Sequence, residues 1–349
     1  MPTINEVFGF SPNDESGTAN EARYNALCPF TGSNCDGGGN RHQTRINLQT
    51  SDLRSSFHPG LSSVVPGVCS IQHADKTWIV CPRRLLGFAP IRDGVLPSQV
   101  LHEHEQQALL AAGLPAGVEL GVWPEVYLNY GDDESAINYH FDFVVSRLHR
   151  GKSLNSILTS YPEMAEDEKA MLLSVAKKSR YVTGRMNRDT EAEYYPDLDS
   201  PYIVEVMTAS TSGSDTNAGT DIASSFTNLI LGKSHACPGI NKRQVWGRMA
   251  TQLFAKSALA ESWGGKTIWI VQDELLSNIE LTTKMSTSTH SGVSAGNPIN
   301  FVSLGYQQNG GDAPLLRVNG LHTKEAGIDF DGSGNCVDIR FASIICYPF

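Results

Sequence analysis

The chain has 349 residues, enough for about two domains of ordinary size. Hydrophobic residues make up 40% of it and charged residues 18%, a globular balance that excludes wholesale disorder. The 27 basic against 37 acidic residues give a net charge of −10, which excludes a polybasic coat protein or membrane binder, though not a local basic stripe. No run approaches the ~18 consecutive apolar residues of a membrane span, and the start, Met1-Pro-Thr-Ile-Asn-Glu, lacks the features of a secretory signal. The expectation is a soluble cytoplasmic protein with no membrane partner.

Residues 1–92 hold four of the seven cysteines: Cys28, Cys35, Cys69 and Cys81. An odd count without a secretory signal argues against a disulfide framework. Four thiolates make a closed tetrahedral shell suited to zinc or iron. The spacing is loose, and ordinary buried thiols are the competing reading. Pro follows Cys28 and Cys81, glycines follow Cys35, and residues 31–70 are poor in large apolar side chains. A metal staple would help such a segment fold. Cys237, Cys336 and Cys346 are expected to take no part. Pro90 and Pro97 bracket a boundary, dividing the chain into a metal-binding region, 1–92, and a second domain, 93–349.

Residues 101–112 read as a helix stopped by Gly113. Two β runs, 118–130 and 137–145, make a hairpin over the acidic turn 131–134. Residues 162–180 are helical, with acids first and bases last, which complements the helix dipole. The run 202–208 is a buried strand. The clearest helix is 241–262. Its apolar stripe holds Trp246, Met249, Ala250, Leu253, Phe254 and Ser257, with Gln244, Arg248, Gln252 and Lys256 as a polar row opposite. A strand at 266–272 follows, and the polar tail ends in strands near 315–318 and 337–347. The order predicts an α/β fold with a mixed sheet flanked by helices.

Two carboxylates sit where strands disfavour them. In the second β run the odd positions 137–145 are apolar, so Asn138, His140 and Asp142 share the other face. That face opens either on solvent or on a cleft. Glu205 interrupts an otherwise apolar run, and burying a lone charge costs several kcal/mol unless it is paired or binds a cation. A nearby Arg would satisfy it; so would Mg²⁺ shared with Asp142 on a neighbouring strand. A strand Asp followed by Glu-x-[Lys/Gln] is the general layout of PD-(D/E)XK nucleases.

The set Glu6-Val-Phe-Gly-Phe, Cys28-Pro-Phe, Cys35, Gly67-Val-Cys69 and Trp78-Ile-Val-Cys81-Pro resembles the opening of the NotI-type restriction endonucleases. Phe141-Asp142-Phe and Ile203-Val-Glu205-Val-Met207-Thr resemble that family's active-site segments, and residues 239–256 its following helix. The resemblance touches landmarks over residues 5–275 and little of the tail. It implies a structural four-cysteine iron site ahead of a PD-(D/E)XK domain, with zinc favoured instead by base rate. It implies a type II endonuclease that makes Mg²⁺-dependent double-strand cuts at a specific, GC-rich palindrome in double-stranded DNA. Palindrome symmetry in turn implies a homodimer. Asp142 and Glu205 would hold the Mg²⁺, helped by the Val206 carbonyl, with Glu125 as an accessory carboxylate. Arg83, Arg84, Lys242, Arg243 and Arg248, with Lys256, would supply a DNA-binding footprint.

One position departs from the pattern. Met207 stands where the family has Gln and most PD-(D/E)XK enzymes Lys, and a thioether neither donates a hydrogen bond nor carries charge. Gln244, Arg248 and Lys233 are candidates to replace it. A weakly active or silent DNA-binding protein of the same fold is therefore the alternative. A thiol enzyme has less support, because no Cys-x-x-Cys motif is present.

Overall fold

A computed structural model describes residues 1–38, 44–88, 101–130, 137–178, 182, 190–192, 194–197, 200–212, 219–283, 299–306 and 316–319. The chain opens with β1 (Thr3–Val7) and α1 (Gly17–Tyr24), where Ser16 caps the helix by accepting from the Ala19 N–H at 3.2 Å. β2 (Leu27–Cys28) and β3 (Ser33–Asn34) form a short hairpin that carries Cys28 and leads into Cys35. A second hairpin, β4 (Val68–His73) and β5 (Lys76–Ile79), carries Cys69 and leads to Cys81; β1 pairs with its other edge.

This region owns more core than its composition promises. Ile4, Phe8, Leu48, Leu53, Phe57 and Ile71 are buried together, and Phe226, from far down the chain, completes the cluster. The Phe8 and Phe226 rings meet edge-on at 5.8 Å. Composition counted within residues 31–70 could not register a side chain supplied from elsewhere.

Then follow α2 (Glu103–Ala111), β6 (Leu120–Tyr130), β7 (Ile137–His149), α3 (Leu154–Thr159), α4 (Glu166–Lys178), β8 (Tyr202–Met207), α5 (Ile222–Ile230), α6 (Lys242–Ser262), β9 (Lys266–Gln272), α7 (Asp273–Thr283), β10 (Ile299–Tyr306) and β11 (Leu316–Asn319). β7 pairs antiparallel with β6 on one side and with β8 on another. β8, β9 and β10 run parallel, and β11 returns antiparallel at the end. A two-residue strand, Tyr195–Pro196, extends β7 to make seven strands. The protein is thus a mixed α/β fold whose mixed sheet is flanked by helices.

The parallel strands are apolar nearly throughout because both their faces are covered. On one face α2 sets Ala108, Leu109 and Ala112 in a cluster with Val204, Ile268, Ile270, Val302 and Leu304. On the other, Val245, Met249 and Leu253 of α6 and Leu275, Leu276 and Ile279 of α7 pack with Trp269, Val271 and Phe301. Ile79, Leu85 and Leu86 join the α2 cluster, so the cysteine-bearing region and the sheet share a core. A buried polar knot ties them further. Arg84 Nη2 donates to Glu6 Oε1 at 3.0 Å, while Ser70 Oγ and Tyr306 Oη donate to Glu6 Oε2 at 2.8 and 2.6 Å.

Several expectations fall outside the described residues: the acidic turn 131–134, the boundary prolines Pro90 and Pro97, the strand at 337–347, Cys336 and Cys346. One expectation needs correction. The odd positions of β7 do not form a single core face: Phe141 clusters with Val144, Ala260 and Trp263, whereas Phe143 and Val145 join the α2 cluster. Strict alternation fails around Asp142. Opposite it, Glu125 has φ +51, and the β6–β7 ladder skips that pair.

Candidate active site

Asp142 and Glu205 come together because β7 and β8 are hydrogen-bonded neighbours, with Val204 opposite Phe143. Asp142 Oδ2 accepts the Val206 N–H at 2.8 Å, which aims the carboxylate toward the C-terminal end of β8. Glu205 is 3% exposed. Its Oε2 accepts from Lys256 Nζ at 2.5 Å, and its Oε1 has no hydrogen-bond partner among the described residues. Burial raises the Asp142 carboxyl above its usual range. Burial, reinforced by the Asp142 charge, pushes Glu205 up to about 8 in spite of Lys256.

With both acids ionised, the single lysine leaves the centre short of positive charge, and the orphaned Oε1 is an open ligand position. This donor set suits a hard divalent cation. No protein-family model matches the chain, and no curated protein does. Among the described residues, no group of three or more His, Cys, Asp or Glu side chains is assembled to hold a metal ion. The fit therefore rests on the chemistry of Asp142, Glu205 and the unpartnered oxygen.

Glu125 stands across β6 from Asp142, as the sum of the ladder positions on either side requires. Its Oε2 is 2.6 Å from His140 Nε2, and the His140 ring stacks on Tyr127 at 4.4 Å. The left-handed backbone at Glu125 is unusual for a side chain inside a strand and costs about 1–3 kcal/mol unless its surroundings enforce it.

Lys256 is the residue that sequence reasoning misplaced. The helical pattern puts it in a polar row and the resemblance in a DNA footprint, yet it is 4% exposed and paired with Glu205. The sequence carried a signal. Met249, Leu253, Lys256 and Ala260 follow the i, i+4, i+7, i+11 spacing of a buried helical stripe, and all four are buried. Met207, which stands where the resembling family has Gln, is half-buried against the α6 and α7 cluster. Of the candidates expected to replace it, Lys233 is exposed, while the side chains of Gln244 and Arg248 lie outside the described residues.

The rest of the expected footprint is also altered. Arg84 is buried on Glu6, because a guanidinium enclosed by Phe30 and Tyr306 needs a carboxylate partner. Arg84 thus leaves the candidate DNA surface. Arg83 is mostly covered, with Nη2 3.2 Å from Asp36 Oδ2 and 4.0 Å from Glu125 Oε1. Lys242 lies 4.3 Å over the Trp78 ring. The Arg243 side chain lies outside the described residues.

The four N-terminal cysteines share one neighbourhood. Cys69 is within electrostatic reach of Cys28, Cys35 and Cys81, and Cys81 within reach of Cys28 and Cys35. Backbone N–H groups face the sulfurs: Gly9 donates to Cys69 Sγ at 3.2 Å, Gly37 to Cys35 and Arg83 to Cys81. Burial pushes the Cys35 thiol up to about 12, and the Cys69 and Cys81 thiols well above their usual range. Thiolates in this setting would need a cation, and the N–H groups suit sulfur that carries charge, yet the four sulfurs are not drawn together as a metal-holding group among the described residues. Cys237 packs instead in the core beside Phe226.

Proposed function

We propose that the protein is a site-specific, Mg²⁺-dependent DNA endonuclease of the PD-(D/E)XK type, acting as a homodimer on double-stranded DNA. The observation that carries the reading is the centre itself: Asp142 and the orphaned Glu205 oxygen on adjacent strands, with Lys256 Nζ 2.5 Å from the other Glu205 oxygen. A lysine or glutamine ordinarily comes two residues after the strand Glu, and here α6 would bring the amine from 51 residues away. This favours an active enzyme over the silent DNA-binding protein that Met207 suggested.

In this reading Asp142 and Glu205 hold the cation, and Glu125 is an accessory carboxylate. A bound Mg²⁺ would supply a Lewis acid for water and offset charge on the scissile phosphate. Val206 N–H fixes the Asp142 rotamer. Lys256 keeps one Glu205 oxygen engaged, which would leave the other for the metal, and its ammonium would add positive charge to the centre as negative charge develops. A Fe or Zn ion held by Cys28, Cys35, Cys69 and Cys81 would be structural.

The test is cleavage of plasmid and genomic DNA with and without Mg²⁺. Asp142→Ala and Glu205→Ala should abolish cutting while leaving specific DNA binding in Ca²⁺ largely intact. Parental cleavage by either variant would place the active site elsewhere.

A further inference from the structure

Arg83, expected in a DNA-binding footprint, is instead mostly covered and paired within the protein, a placement that the cleavage chemistry does not account for. It follows Cys81-Pro82 in a single 3₁₀ turn, and its side chain is only 14% exposed. The guanidinium reaches in two directions. One is Asp36, the residue immediately after Cys35, with Nε and Nη2 at 3.4 and 3.2 Å from Oδ2. The other is Glu125 Oε1 at 4.0 Å. Glu125 is thus flanked on both oxygens, by Arg83 on Oε1 and by His140 on Oε2. It also carries a left-handed backbone that its neighbours must enforce.

We infer that Arg83 is a positioning residue: it fixes the Glu125 carboxylate at the candidate catalytic centre and ties that carboxylate to the cysteine-bearing hairpin through Asp36. The inference rests on the proposed active site for the identity of the centre. Its physical content is a relay of three side chains, Asp36–Arg83–Glu125, each end anchored beside a different region of the fold. Asp36 moves with Cys35, and Arg83 with Cys81. Disturbing the cysteine region therefore shifts the carboxylate that faces Asp142, and with it the centre's grip on a divalent cation.

Electrostatics alone predicts the opposite sign. A cation 4.0 Å from an accessory ligand repels Mn²⁺, so deleting it would tighten binding if Arg83 were merely a nearby charge. Loss of a partner that orients a ligand instead weakens metal affinity, typically by about 10–100-fold. The sign decides between the two.

The experiment is titration of the full chain with Mn²⁺, read by electron paramagnetic resonance, which needs no cleavage. Arg83→Ala should weaken binding about tenfold. Asp36→Asn should weaken it in the same direction, and the double variant should be no worse than Arg83→Ala, because the two act through one relay. Arg83→Lys keeps the charge but loses the planar fork and should recover only part of the affinity. Because it conserves the charge, Arg83→Lys decides the matter if Arg83→Ala fails to fold, whereas Asp36→Asn has the same sign on both readings. Affinity that is unchanged or tighter in these variants would overturn the positioning role. Glu205→Ala serves as the reference. Mn²⁺ binding that ignores Glu205→Ala overturns the assignment of the centre and the inference with it. Binding that needs Glu205 but ignores Arg83 and Asp36 overturns the inference alone.

Discussion

Replacing Lys256 by Met keeps most of the side chain's bulk and removes its charge. The ammonium and the Glu205 carboxylate are both about 5% exposed or less, so water cannot substitute for either. Two magnitudes compete. Stripping one member from a buried ion pair and leaving the other charged costs about 3–5 kcal/mol. Losing a hydrogen bond to a group that can go neutral costs about 1–3 kcal/mol. Burial and Asp142 already push Glu205 up to about 8, so without Lys256 the carboxyl keeps its proton at pH 7 and the smaller figure applies. Urea unfolding of the metal-free variant at pH 7 should show a loss of that size. Mn²⁺ binding should survive, because a competing cation has gone. Plasmid cleavage should fall by at least about a hundredfold if the ammonium assists the chemistry. Parental cleavage by Lys256→Met would refute that role, and a loss above about 4 kcal/mol would refute the neutral-carboxyl argument.

Burial, with Arg84 and His102 adding to it, pulls His104 down to about 4 from 6.5. An imidazole buried in its neutral form favours folding above pH 6.5, and that contribution fades as pH falls toward 4. At about 1.4 kcal/mol per pH unit it amounts to roughly 3 kcal/mol at most. Glu205 and Asp142, whose carboxyls are raised by burial, act in the opposite sense over the same range, so the His104 contribution is read as a difference. Between pH 7 and pH 5 the urea midpoint of the parent should fall relative to that of His104→Gln, and parallel pH profiles would exclude the His104 effect. Gly9 has φ +82, and a Cβ there would lie 2.4 Å from Pro29 Cγ. Gly9→Ala should cost about 2–4 kcal/mol through strain and displacement of the N–H that faces Cys69, and should lower any bound iron or zinc measured by elemental analysis. A fully metallated, equally stable Gly9→Ala protein would show that this turn does not shape the cysteine site.

Much of the frame was legible from the residues. The strand at 266–272 agrees with Lys266–Gln272 at both ends, and the helix read at 241–262 runs Lys242–Ser262, because long periodic or wholly apolar runs admit one reading. The neighbourhood of Asp142 and Glu205 was legible too, since a lone acid in an apolar strand demands compensation. What supplies the compensation was not. Lys256 lies 51 residues from Glu205, and a polar residue in a helix is taken as solvated unless its register is checked against the buried stripe. Arg84 misled for the same reason in reverse: adjacent arginines look like a phosphate grip, and only the tertiary approach of Glu6 and Tyr306 turns one inward. The unusual backbone at Glu125 carries no local mark, because nothing in Trp-Pro-Glu-Val requires a positive φ.

The knot around Glu6 also sets a timetable for synthesis. Glu6 and Tyr306 are 300 positions apart, and 222 residues separate Arg84 from Tyr306. At about 5–20 residues per second, roughly 10–40 s pass between the appearance of the arginine and that of the tyrosine that covers its partner. Phe226, which fills the core behind Phe8, also arrives long after the hairpins that need it. The N-terminal region therefore leaves the ribosome well before Phe226 and Tyr306, which complete its packing, have been made.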